Sequence, residues 1–181
     1  PAKTDWADES FGRWLQKTPG LQGYSTRNWQ LWTLRQNVEG AAGIKRYGKA
    51  MLVDTPICNF GLTAPDFELI SHDKKSYSRD GLAGSNGLLI AFICNHCPYV
   101  KAIIENFVLD AKKLQTKGVQ TVAIMPNNYI THPEDNPAKM GEFATEHCFG
   151  FPYLIDETQS VAKSYGAVCT PDFFGFNANL E

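Results

Sequence analysis

Two cysteines separated by two residues are the part of this sequence best suited to chemistry. Cys94 and Cys97 enclose Asn95 and His96, directly after the apolar run at 88–93 and directly before a helical pattern. A Cys-x-x-Cys motif at a strand-to-helix junction is typical of a thiol redox pair. The spacing predicts that Cys94 lies at the helix N-terminus, where free amide groups and the helix dipole favour the nucleophilic thiolate. Cys97 is then the resolving thiol, which attacks a mixed disulfide on Cys94.

His96 is the spacer residue expected to tune this pair. A protonated His96 next to Cys94 stabilises the thiolate, and a lower thiol pKa makes the disulfide more oxidising. We therefore expect a pair more oxidising than one with two neutral spacers. The alternative interpretation of His96 is a solvated polar residue in the first helical turn.

Metal and haem chemistry fit the motif less well. A structural zinc site takes four ligands, usually as two spaced pairs, whereas Cys94, His96 and Cys97 crowd into one turn without a second pair. Covalent haem attachment requires a histidine directly after the second cysteine, and Pro98 occupies that position. A further alternative is that the two cysteines are inert and buried, but burial alone does not explain their position at the N-terminus of a helix. We expect no metal, and no cofactor other than a redox-active disulfide between Cys94 and Cys97.

The elements that must position these thiols alternate between strand and helix. Apolar and β-branched runs predict strands at 67–70, 88–93, 119–125, 152–155 and 173–176, with a turn at 72–75. Helices are predicted over 100–114, over 137–147 and over 161–165. Asp156 and Gln159 resemble a capping box that opens the last of these helices, and Gly166 ends it. This alternation indicates an α/β fold with a central, mostly parallel mixed sheet flanked by helices.

Composition limits the class of protein. The chain has 181 residues, 43% of them hydrophobic and 20% charged, with a net charge of −2, which is typical of a globular domain and argues against nucleic-acid binding by general basicity. It contains no run of the roughly 20 apolar residues that a membrane helix needs. Five cysteines are an odd number, which suits a reducing compartment better than a disulfide framework. We expect a cytoplasmic protein with neither nucleic acid nor membrane as a partner.

Residues 1–50 differ in composition from the remainder of the chain. They contain all four tryptophans and carry a net positive charge, while all five cysteines follow them. Helical patterns at 4–17 and 25–40 are predicted, and the tryptophans fit the apolar sides of small packing helices. We predict an N-terminal extension of unknown role at 1–50, either an appendage or an upstream extension before Met51, followed by a redox domain at 51–181.

Several segments of the second region resemble a known family. Residues 89–101, 119–126, 151–158 and 167–176 resemble a thioredoxin-like family grouped with the redoxins of the alkyl hydroperoxide reductase and thiol-specific antioxidant superfamily, most specifically at CNHCPYVK and CTPDFFGF. The resemblance implies a thioredoxin fold and antioxidant redox chemistry. It also implies that Thr170 and Pro171 form the cis-proline site that lies opposite the two thiols and receives the substrate backbone.

The resemblance further implies that the fold continues after 173–176 with an antiparallel strand and a final helix. This chain stops at 177–181, at what resembles a turn. We therefore expect a C-terminally truncated domain with an incompletely covered sheet edge, which is a recognised route to self-association.

The remaining cysteines are weaker candidates. Cys169 lies two residues before Pro171 and is a possible third thiol or partner in an alternative disulfide, although a buried small residue is the favoured interpretation. Cys58 and Cys148 are expected to be ordinary thiols, buried or half-exposed.

The sequence therefore favours a thiol-disulfide oxidoreductase. Its substrate would be a disulfide-containing protein or small molecule, and an external thiol reductant would reset the pair. A peroxiredoxin-like peroxidase is one alternative, but neither Cys94 nor Cys97 carries the Pro-x-x-x-Thr-x-x-Cys pattern that peroxiredoxins share. A redox-responsive peptide-binding module is another. The chain also differs from thioredoxin, since Ile93 replaces the usual tryptophan and Leu88 the buried acid, so that proton transfer at Cys97 must use His96 or water.

Overall fold

The computed structural model describes residues 61–181 as an α/β domain. The strands are β1 (Glu68–Ser71), β2 (Ser76–Ser78), β3 (Gly87–Phe92), β4 (Val119–Met125), β5 (Tyr153–Ile155) and β6 (Asp172–Phe176). The helices are α1 (Arg79–Leu82), α2 (Pro98–Gln115), α3 (Pro137–Glu146) and α4 (Ser160–Tyr165), with a 3-10 turn at Pro133–Asp135. The predicted helices at 4–17 and 25–40, the tryptophans, Cys58 and the boundary near Met51 lie outside the described residues.

The six strands form one mixed sheet in the order β2-β1-β5-β4-β3-β6. The central strands β3, β4 and β5 run parallel to one another, whereas β6 pairs antiparallel with β3, β1 with β5, and β2 with β1. The predicted mixed sheet with a parallel centre is therefore confirmed, although only two of its five strand pairings among residues 61–181 are parallel. Within the described chain, β6 pairs with β3 alone and forms one edge of the sheet.

The sheet is held by a core centred on β3. All six residues of β3 are buried, as the unbroken apolar run predicts. Leu88, Ile90 and Phe92 pack on one face, in the same cluster as Ile124 of β4 and Leu154 of β5. Each such side chain contributes about 1.5–3 kcal/mol by leaving water. β3 is consequently a rigid base for the residues that follow it.

Helix α2 covers this sheet and begins directly beside the two thiols. Its buried residues recur at three-and-four spacing and face the sheet: Val100, Ile103, Ile104, Phe107, Ala111 and Leu114. Pro98 occupies the first helical turn, where a missing amide hydrogen costs nothing. Gly118 then adopts a positive φ of 74° in the turn that leads into β4. No helix in the described region is both long and apolar enough to span a bilayer.

Two local predictions are corrected by the structure. The capping box at Asp156 and Gln159 is wrong, because Gln159 is left-handed with φ 60° and makes no side-chain cap bond. Asp156 is instead fully buried and its Oδ2 accepts a hydrogen bond of 2.8 Å from the amide of Ala162. Strand β2 was not predicted, because Ser-Tyr-Ser is short and polar. It forms because it pairs with β1 in a hairpin. Gly166 ends α4 as predicted.

Candidate active site

The two cysteines of the motif lie between the end of β3 and the start of α2. Cys97 is the N-cap of α2, so the prediction that Cys94 lies at the helix N-terminus is wrong by three residues. Pro98 fits the first helical position and thereby fixes the start of the helix after Cys97. Both residues are thiols and both are buried, with 1% of Cys94 and 8% of Cys97 exposed.

Thr170 contacts both sulfurs from the opposite side of the site. The Thr170–Pro171 peptide bond is cis, as predicted from the resemblance. The Oγ1 of Thr170 lies 3.2 Å from Cys94 Sγ, and its carbonyl oxygen accepts a hydrogen bond of 3.2 Å from Cys97 Sγ. One residue therefore faces the two thiols together, with its hydroxyl beside one sulfur and its carbonyl beside the other. Substrate binding by Thr170 and Pro171 stays a prediction.

The two thiols titrate as one pair. Their side chains hydrogen-bond each other, and this bond lowers one pKa of the pair to about 5 and raises the other above the ordinary cysteine value, while burial raises both. Amides of Tyr99 and Val100 stabilise a charge on Cys97, while the amide of Cys97 and the hydroxyl of Thr170 stabilise one on Cys94. The reduced pair therefore holds one proton, and the charge is supported on either sulfur.

A fully buried carboxylate, Asp135, joins the spacer residues to a distant loop. Its Oδ1 accepts a 2.8 Å hydrogen bond from the amide of Asn95, and its Oδ2 lies 2.7 Å from His96 Nδ1. Asn127 Nδ2 donates to the same Oδ2 at 2.8 Å. Asn95 Nδ2 adds a 2.8 Å bond to the carbonyl of Glu134. The Cys-x-x-Cys segment is thereby fastened to the loop between β4 and α3.

Sequence reasoning missed Asp135 and Asn127. Both follow the carboxyl end of β4, which runs parallel to β3 and ends at the same edge of the sheet. Polar residues after neighbouring parallel strands converge at such an edge, as ligand sites in α/β sheets do. That placement was the signal available in the sequence.

Two aromatic side chains complete the surroundings of the spacers. The hydroxyl of Tyr153 donates to Asn95 Oδ1 at 3.0 Å, with the carbonyl of Ile93 at 3.4 Å. Burial raises the pKa of Tyr153 well above its ordinary value, so that the hydroxyl remains a donor. The ring of His132 stacks on that of His96, with ring centroids 5.2 Å apart and 12° between their planes. His96 is thus held on two sides, while 37% of its side chain is exposed.

Cys94, His96 and Asp135 also form a group of possible metal ligands. One ligand atom from each lies within 4.8 Å of the others. Asp135, which lies 39 residues beyond His96 in the sequence, adds a ligand that the Cys-x-x-Cys motif alone does not contain. However, both oxygens of Asp135 already accept hydrogen bonds, from Asn95 and from His96 and Asn127. The arrangement is therefore that of a hydrogen-bonded network around a thiol.

The other cysteines of the described region lie at the surface. Cys169 is exposed, so the favoured interpretation of a buried small residue is wrong. It lies next to the cis bond, in the loop between α4 and β6, and partial desolvation raises its pKa. Cys148 is also exposed, consistent with an ordinary surface thiol.

Comparison with known proteins gives a family and a fold. The sequence pattern of the AhpC/TSA family matches residues 60–180. An uncharacterized conserved protein from Geobacillus kaustophilus is 43% identical, with a TM-score of 0.65, over 67% of this chain and 65% of that one. A hypothetical protein from Sinorhizobium meliloti is 37% identical, with a TM-score of 0.66, over 68% of this chain and 67% of that one. The chain thus spans about two thirds of the length of these two proteins.

A more distant structure agrees in fold. An exposed lipoprotein thioredoxin from Streptococcus pneumoniae is 17% identical with a TM-score of 0.53, over 65% of this chain and 84% of that one. The fold is therefore thioredoxin-like, as predicted. No curated protein sequence matches this chain.

Proposed function

This chain belongs to the AhpC/TSA family and has a thioredoxin-like fold, and from this premise we propose that it is a thiol-disulfide oxidoreductase with Cys94 and Cys97 as its redox pair. The observation that carries the proposal is the contact of Thr170 with both sulfurs, at 3.2 Å each. This contact places the two thiols and the segment before Pro171 at one site. The substrate is a disulfide of a protein or small molecule, and an external thiol reductant resets the pair.

The reaction proceeds in two exchange steps. The Cys94 thiolate attacks one sulfur of the substrate disulfide, forms a mixed disulfide and releases the other sulfur as a thiolate. Cys97 then loses its proton and attacks Cys94 Sγ, which releases the second substrate sulfur. The pair gives up two electrons and becomes a disulfide, and the substrate becomes two thiols. The amides of Tyr99 and Val100 stabilise the Cys97 thiolate that forms in the second step.

Peroxide reduction by a single cysteine is supported less well. A peroxidatic cysteine acts as a single thiolate that becomes sulfenic acid. Cys94 instead shares its proton with a second thiol, Cys97, and neither cysteine carries the Pro-x-x-x-Thr-x-x-Cys pattern of peroxiredoxins. Two adjacent thiols with one proton between them favour disulfide exchange.

Single cysteine-to-serine variants test the proposal. Reduction of insulin disulfides with dithiothreitol as the electron source should be lost in Cys94→Ser. Cys97→Ser should accumulate a mixed disulfide with the substrate, visible by mass spectrometry. Cys148→Ser is the matched control, because Cys148 is an exposed thiol outside the network, and it should retain the wild-type rate.

Other outcomes would contradict the proposal. Equal insulin reduction by wild type and Cys94→Ser would exclude this pair as the redox centre. Rapid consumption of hydrogen peroxide that depends on Cys94 would favour the peroxidase. Retained capture of a peptide without turnover would favour the peptide-binding module.

A further inference from the structure

Asp135 is a fully buried acid that the exchange steps above do not use. A buried carboxylate is costly unless it is paired or fully hydrogen-bonded. Here three donors from two segments converge on it: the amide of Asn95, the side-chain amide of Asn127 and the ring of His96. Because two of these partners are the spacers of the redox motif, the carboxylate acts on the motif itself.

The contact with Asp135 determines which nitrogen of His96 remains available. Nδ1 lies 2.7 Å from Asp135 Oδ2, so Nδ1 carries a proton and donates it to the carboxylate. Nε2 is then the nitrogen free for other chemistry. A ring nitrogen of His96 and an oxygen of Asp135 lie within 4.8 Å of Cys94 Sγ. Stacking against His132 holds the ring in this orientation.

The exchange steps described above include no proton donor for the first leaving thiolate. The arrangement of His96 and Asp135 can provide one. Attack by the Cys94 thiolate releases a substrate thiolate, and a basic alkyl thiolate leaves more slowly than one of low pKa, so that a nearby proton donor speeds its departure. Leu88 occupies the position at which the resemblance to thioredoxin implies a buried acid. Its side chain is apolar and fully buried in the core, so it cannot supply a proton. A ring nitrogen of His96 lies within 4.8 Å of Cys94 Sγ, and 37% of the His96 side chain is exposed.

We propose that Asp135 is a positioning residue that holds His96 as the proton donor to the first leaving thiolate. This inference rests on the proposed oxidoreductase function. The protonated His96 gives its Nε2 proton to the first substrate sulfur and keeps its Nδ1 proton on Asp135. The proton of Cys97 goes to the second substrate sulfur. The two protons and the two electrons of the pair together yield two substrate thiols, and His96 regains its proton from water.

The test compares two disulfides that differ in their need for a proton. The first is the dialkyl disulfide of mercaptoethanol, whose leaving thiolate is basic. The second is an aromatic nitrobenzoate disulfide, whose leaving thiolate is stable without a proton. The rate of the first turnover of the reduced protein is measured with each. Positioned proton donors accelerate reactions by about 10²–10⁴-fold. We expect Asp135→Asn to slow attack on the dialkyl disulfide at least tenfold and not to slow the aromatic reaction, because loss of the carboxylate charge also lowers the pKa of Cys94.

Three further variants separate positioning from folding. Asp156→Asn is the matched control. Asp156 is as buried as Asp135 and accepts a hydrogen bond from the amide of Ala162 in α4, but it does not contact the redox motif. This variant should leave both rates unchanged. His96→Gln should reproduce the selective loss even if Asp135→Asn fails to fold. The double variant should be no slower than His96→Gln alone, because Asp135 acts through His96.

The nitrogen chemical shifts of His96 give a second readout. In the wild type the proton of neutral His96 should reside on Nδ1, and in Asp135→Asn it should no longer prefer Nδ1. A purely structural role of Asp135 would not require this change. Equal slowing of both disulfides, or no slowing of either, would overturn the inference while leaving the oxidoreductase intact. If the wild type and Asp156→Asn reduce neither disulfide, the proposed function fails instead.

Discussion

The hydroxyl of Thr170 offers a quantitative test of how this site controls its thiols. Thr170→Val keeps the shape of the side chain and the carbonyl that faces Cys97, and it removes only the hydroxyl 3.2 Å from Cys94 Sγ. A hydrogen bond to a charged group contributes about 1.5–3 kcal/mol. One pKa unit corresponds to about 1.4 kcal/mol, so the lower pKa of the pair should rise by about one to two units from its value of about 5.

The same loss should appear in the redox potential. A less stable thiolate destabilises the reduced form, so the disulfide becomes harder to reduce. For a two-electron couple about 1.4 kcal/mol corresponds to about 30 mV, which gives a potential lower by about 30–60 mV. The pKa is measured from thiolate absorbance during a pH titration, and the potential from equilibrium with a dithiothreitol series.

Thr121→Val is a control of the same chemistry. Thr121 is buried in β4, and its Oγ1 has no hydrogen-bond partner among the described residues. Its replacement by valine should leave both the pKa and the potential unchanged. Unchanged values in Thr170→Val, or equal shifts in the two variants, would refute the argument that the Thr170 hydroxyl donates to the thiolate.

Three other predictions concern the surroundings of the pair. Tyr153→Phe removes the donor to Asn95 Oδ1 and should lower the free energy of unfolding by about 1–2 kcal/mol in urea; an unchanged urea midpoint would contradict this. The lower pKa of the Cys94–Cys97 pair is depressed to about 5, so the thiolate stabilises the folded, reduced protein. This stabilisation is complete above the ordinary thiol pKa and is lost as pH falls through about 5. Unfolding of the reduced protein should show this loss, and the oxidised protein, which has no such thiols, should not. Cys169→Ser should keep the wild-type rate of insulin reduction, since Cys169 is exposed with a raised pKa; a tenfold loss would establish it as a third thiol.

Local patterns predicted the elements of this fold well. The apolar run at 88–93 is β3, shifted by one residue, and the periodic pattern at 100–114 lies within α2. Both are long segments whose burial dominates their local preferences. The short hairpin strand β2 and the cap of α4 were mispredicted because tertiary hydrogen bonds, at Ser76 and at Asp156, decide them.

The site was predictable only where its residues are adjacent in the sequence. Cys94, His96 and Cys97 share one turn of chain, so their spacing reveals them. Asp135 lies about 40 residues beyond Asn95, and its Pro-Glu-Asp context is that of an ordinary polar loop. Its role depends on the parallel pairing of β3 with β4, which brings the two segments together. Periodicity carries no information about such pairing.

The separate origins of the thiols and the carboxylate have a consequence for how this protein can be altered. The start of α2 and Thr170 provide the groups that stabilise the thiolate. The loop between β4 and α3, at 126–136, provides the groups that hold His96. The 126–136 loop therefore acts on the thiols from a separate stretch of chain, and the charge of Asp135 also raises the pKa of Cys94. Exchanging this loop with that of a relative should change both which disulfides react quickly and the equilibrium between the two oxidation states.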